Sequence, residues 1–87
     1  MRFAALDGLA RAQEGKGELE GAVQAFERAG REVPFFRDRA TLERARVLAR
    51  AGKADEARKV LQGFPDEFKD SPLKGEAQER LARLGGK

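Results

Sequence analysis

Arg39, Glu43, Arg46 and Arg50 are separated by four, three and four residues, so a helix through them would present all four together. At 100° per residue they fall within about 60° of one another, which makes a single polar stripe. Guanidiniums in a row suit carboxylates and phosphates, because each is a permanently charged, planar fork of donors that engages two oxygens at once. Glu43 lies four residues after Arg39 and three before Arg46, close enough to pair with either for ~0.2–0.5 kcal/mol each. Two readings of the stripe follow. It is a solvated face held by internal pairs, or it is a groove that captures the carboxylates of an acidic or C-terminal peptide.

Other chemistries lack their reagents. The 87 residues include no Cys, His, Trp, Tyr or Asn, and Thr41 and Ser71 are the only hydroxyl side chains. There is no imidazole to activate a nucleophile, and no thiolate or imidazole to hold zinc. Carboxylates are plentiful but alternate with Lys and Arg as on solvated helix faces. No enzymatic activity, metal or cofactor is expected. The rival from another class is a helical domain that binds nucleic acid, compatible with a pI near 9.7. Interleaved acidic residues and the absence of Tyr and Trp for stacking argue against it, and Phe35-Phe36 is read as core at a junction. The net charge of +3 is concentrated in the middle, where residues 37–59 carry eight basic and four acidic side chains.

The elements that position the stripe are helical. Ala, Leu, Glu, Arg, Lys and Gln fill every stretch between Gly and Pro markers, and no segment alternates with period two. The pattern predicts one all-α domain over 1–87 with helices at about 2–14, 18–32, 36–51, 54–63 and 72–84. Pro65 is expected to break the fourth. Ser71-Pro72 is expected to cap and start the fifth, which ends at Gly85-Gly86. The third helix carries Ala40, Leu42, Ala45, Val47, Leu48, Ala49 and Ala51 around more than half of its circumference, so it should be buried on more than one side.

The chain also repeats itself. Gly17, Leu19, Ala22 and Phe26 return 35 residues later as Gly52, Ala54, Ala57 and Leu61. Two helices and a Gly turn at this period form a helical-hairpin repeat, which buries its apolar face only by stacking on another. The small mid-helix Ala10 and Ala45, the Gly turns, and Ala22-x3-Phe26 with Ala57-x3-Leu61 resemble the tetratricopeptide repeat. That resemblance implies a right-handed solenoid: repeat one at about 3–35, repeat two at about 36–70, and a capping helix at about 72–84. It further implies a non-catalytic interaction module whose first helices line a concave groove. The groove would comprise Arg11, Arg39, Leu42, Glu43, Arg46, Ala49, Arg50, Arg80 and Arg83, binding a protein or peptide partner of acidic character. Ala4, Asp7, Glu14, Glu76 and Glu79 share its positions.

Three further expectations complete the reading. Arg46 lies outside the apolar arc, so its reversal to Glu should leave the fold intact. Phe3, Ala4, Ala5 and Leu6 have nothing ahead of them, which suggests a homodimer, or a purely structural oligomerisation domain, built through the first hairpin. The ending FPDEFKDSPLKGEAQERLARL resembles bacterial envelope tetratricopeptide proteins, such as the ancillary subunit of the Sec translocon and the outer-membrane assembly and cell-division coordinators. This likeness implies a parent protein anchored at the envelope, with its repeats facing the periplasm.

Overall fold

The computed structural model describes residues 2–84, with side chains from residue 5 onward. The side chains of Phe3 and Ala4 and the Gly85-Gly86 terminus lie outside the described residues. Five helices follow one another: α1 (Arg2–Gly15), α2 (Leu19–Glu32), α3 (Arg37–Arg50), α4 (Ala54–Glu67) and α5 (Lys74–Arg83). A short 3-10 turn over Pro34–Phe36 joins the hairpins, and no strand occurs among the described residues. Each helix packs on the next in chain order, so two hairpins stack and α5 closes the end against α4. The fold is an all-α helical-hairpin solenoid.

Both hairpin turns are closed in the same way. Gly17 and Gly52 have φ of +83° and +81°, in the left-handed region that favours glycine. The residue after each donates back to the helix just ended, Glu18 N–H to the Gln13 carbonyl at 2.8 Å and Lys53 N–H to the Leu48 carbonyl at 2.9 Å. This is the αL helix stop that satisfies otherwise orphaned carbonyls. No neighbour crowds the Cα of Gly52, so strain alone sets the effect of a side chain there. Gly52→Ala is expected to destabilise the protein by ~1 kcal/mol, seen as a lower thermal midpoint with unchanged helical content.

The two-sided burial expected of α3 is present. Val47 and Leu48 join Ala10, Ala22, Val23, Phe26 and Ala57 in one core, while Leu42 and Ala45 join Leu61, Phe64 and Ala77 in another. A third patch unites Leu6, Ala29 and Ala40. Leu6 is therefore buried rather than part of an open N-terminal flank, where Ala5 and Leu9 remain exposed.

Three local expectations are corrected. Helix α4 runs through Pro65 to Glu67. Proline removes one donor there, but Phe64 is fully buried and Phe68 N–H still bonds the Phe64 carbonyl at 2.8 Å, so packing carries the last turn past the ring. Helix α5 starts at Lys74, because Ser71 closes a local turn instead of capping. Its Oγ accepts from Leu73 N–H at 3.0 Å and donates to Asp38 at 2.7 Å, tying this turn to the start of α3. Phe35 is not core; it is 87% exposed and meets the Phe36 ring edge-on.

Candidate functional site

The face made by α1, α3 and α5 carries the arginine stripe, and its centre is a pair of buried carboxylates. Glu14, in the last turn of α1, and Glu43, midway along α3, each keep only 8% of their side-chain surface. Arg46 bridges them. Its Nη1 and Nη2 donate to the two Glu14 oxygens at 2.6 and 2.9 Å, and its Nε donates to Glu43 at 2.8 Å. Arg50 adds a bond from Nη1 to Glu14 at 2.6 Å. Arg11 reaches Glu43 at 3.5 Å while bonding Asp7 on its own helix, and Arg39 approaches Glu43 at 3.9 Å.

Burial separates the two signs of charge. The carboxylates lie beneath, whereas Arg11, Arg39 and Arg50 remain 52%, 47% and 57% exposed. An approaching molecule meets guanidiniums with unused donors, even though the ions nearly balance locally. Arg46, at 27% exposure, is the exception. Its fork is committed inside the protein, and the two carboxylates raise its pKa further. The expectation that its reversal would spare the fold is therefore corrected: position outside an apolar arc does not mean freedom from partners.

The remaining expected site residues divide. Leu42 is 1% exposed and packs among Leu61, Phe64 and Ala77, so it takes no part in the groove. Its place on the circumference borders the stripe, but α4 and α5 cover that side. Ala49 is half-buried at the floor of an open slot between α3 and α5, near Arg80 and Arg83. Arg80 bonds Glu76 at 3.0 Å, while Arg83 is 73% exposed and only 3.8 Å from Glu79.

Glu14 was expected at a groove position, but its burial and its pairing with Arg46 and Arg50 were not foreseen from the sequence. A signal was present: at the 35-residue offset it is the counterpart of Ala49, a carboxylate where the second repeat has a methyl group. Hydrogen bonds from Arg46 and then Arg50 hold the Glu14 carboxyl down from 4.5 to about 2, against the opposing effect of burial. A depressed folded-state pKa adds stability that is fully present above the unfolded value and is lost as pH falls through the folded value. The window therefore runs from about pH 5 down to about pH 2, and the shift corresponds to ~3 kcal/mol. In urea titrations at several pH values, Glu14→Gln should be less stable than wild type by that order at pH 7, with the difference vanishing near pH 2.

Among the described residues, no group of carboxylates could hold a metal ion, and no helix is long and apolar enough to cross a membrane. Comparison with curated proteins and with solved structures returned no match. A family model described as tetratricopeptide repeat matches residues 4–35 and 39–71, one span for each stacked hairpin. With two consecutive repeats matched over most of its length, the chain belongs to the tetratricopeptide-repeat family.

Proposed function

We propose that this chain is a protein-interaction module that takes an acidic peptide segment along the face of α1, α3 and α5. Tetratricopeptide repeats in general bind other proteins and are non-catalytic, and the finer reading rests on one observation. Arg11, Arg39 and Arg50 stand about half exposed above two carboxylates that are almost fully covered. Arg50 is held by Glu14 and Arg11 by Asp7, so these guanidiniums lose less freedom on meeting a partner's carboxylate, and preorganisation of this kind favours binding. The likeness of residues 64–84 to envelope repeat proteins supports a parent at a bacterial envelope.

The reading is tested with a blocked acidic peptide, titrated by calorimetry against wild type and an Arg39→Ala, Arg83→Ala double variant. Both positions are exposed and make only long ion contacts, at 3.9 and 3.8 Å, so the fold should be unaffected. Affinity is expected to fall by about fivefold to tenfold, in line with two exposed charge pairs. Equal affinity for both proteins would overturn the reading. Tighter binding of a single-stranded oligonucleotide, with a steep salt slope, would replace it with nucleic-acid recognition.

A further inference from the structure

The two gaps between successive first helices are chemically different. In the gap between α1 and α3, the chain supplies its own anion: Glu14 takes the Arg46 fork and one donor of Arg50. In the gap between α3 and α5, the repeat-equivalent position is Ala49, and no carboxylate fills the space. What remains is a slot of about 250 Å³ floored by Ala45, Ala49, Leu61 and Leu84, with arginines from both helices at its rim.

We infer that this slot is the anchor site of the groove, taking an aliphatic or aromatic side chain of the bound segment whose neighbouring acidic residue lies on Arg50 and Arg83. This inference rests on the acidic-peptide reading above and adds to it the identity of the anchoring side chain.

Size, floor and charge each contribute to the assignment. An apolar cavity of ~150 Å³ accommodates a benzene ring, so 250 Å³ has room for a leucine or phenylalanine side chain. The floor offers methyl and methylene groups, and a polar side chain would lose its water there without gaining a partner. At the rim, Arg50 uses only Nη1 on Glu14, and Arg83 is largely exposed. Their remaining donors face a space into which the chain puts no carboxylate, in contrast to the first gap. A partner's carboxylate completes in the second gap what Glu14 completes in the first. A wholly aliphatic partner would leave the arginine rim unused, and a wholly acidic one would leave the floor wet. A segment with an apolar residue flanked by Asp or Glu satisfies both.

The probes are two blocked pentapeptides of aspartate that differ only at the centre, one with leucine and one with serine. Each is titrated into the whole chain, with affinity read by calorimetry and the location by NMR shifts of the Ala49 and Leu84 methyl groups. Wild type is expected to bind the leucine peptide about tenfold more tightly than the serine peptide, the order expected for burying one aliphatic side chain. Ala49→Leu, which fills the slot with the charges unchanged, should bring that ratio close to one. Arg83→Ala, at an exposed position with no fold to disturb, should weaken both peptides alike and keep the ratio. Equal wild-type affinity for the two peptides overturns the anchor but leaves the acidic groove standing. A leucine preference that survives in Ala49→Leu, or methyl shifts centred away from Ala49 and Leu84, also overturns it. If neither peptide binds, the groove reading falls and the anchor with it.

Discussion

Arg46→Glu is expected to lower the melting temperature by roughly 15 °C or more, in spite of lying on the polar side of α3. The wild-type guanidinium satisfies Glu14 with two bonds and Glu43 with a third, and both carboxylates are nearly inaccessible to water. Reversal places a third carboxylate against two that have lost their main partner. Removing one side of a buried ion pair costs about 3–5 kcal/mol, because the charge left behind is neither paired nor hydrated. A domain of this size is held by only about 4–13 kcal/mol in total, so the loss is a large share. Circular dichroism melts provide the check, with Arg39→Ala as the control. Arg39 is half exposed and contacts Glu43 at only 3.9 Å, so that variant should melt within a few degrees of wild type. Equal midpoints for Arg46→Glu and wild type would show that the buried cluster contributes nothing to the fold. The acid sensitivity of Glu14 reports the same ion pair from its other partner, so the two effects do not add.

Phe64→Ala should be comparably damaging by a different route. Its ring is fully buried in the core shared by α3, α4 and α5, among Leu42, Ala45, Leu61 and Ala77, and lies 4.8 Å from the ring of Phe68. Truncation leaves a cavity where the capping helix meets the second hairpin, at a cost of ~3–5 kcal/mol. Because α5 packs chiefly on α4, the loss should show first as faster amide exchange in residues 74–83, ahead of global unfolding. Phe35→Ala is the matching control. That ring is 87% exposed, so its removal should change stability by less than about 0.5 kcal/mol. Uniform exchange throughout the Phe64→Ala protein would show that α5 is no separate unit of stability.

The residues explain why some expectations held and others did not. Helix type, the hairpin repeat and the double burial of α3 were all legible. Each depends on spacing along the chain: a Gly at the turn with nowhere else to obtain positive φ, Ala and Leu returning every three or four residues, and a 35-residue offset that matches one stacked unit. Element ends were less legible. Pro65 withholds a donor wherever it stands, but whether a helix stops there depends on what holds the next turn, and the buried Phe64 holds it. Phe35 and Phe36 are adjacent and chemically identical, yet the 3-10 turn leaves the first almost fully exposed.

The site divides along the same line. By itself the sequence determined that Arg39, Glu43, Arg46 and Arg50 share one helix face, because 3.6 residues per turn leaves no alternative. Which of those arginines remain available was decided only by tertiary structure. Stacking brings the last turn of α1 beside the last turns of α3, and so sets Glu14 against Arg46 and Arg50 across 32 and 36 residues of chain. It also turns Leu42 into the core and leaves Ala49 beneath an open slot. Helical periodicity repeats within a few residues and is written locally. The pairing of charges between helices depends on how two surfaces come to rest on one another, and that is fixed by the packing of Ala10, Val47 and their neighbours on the buried sides of the same helices.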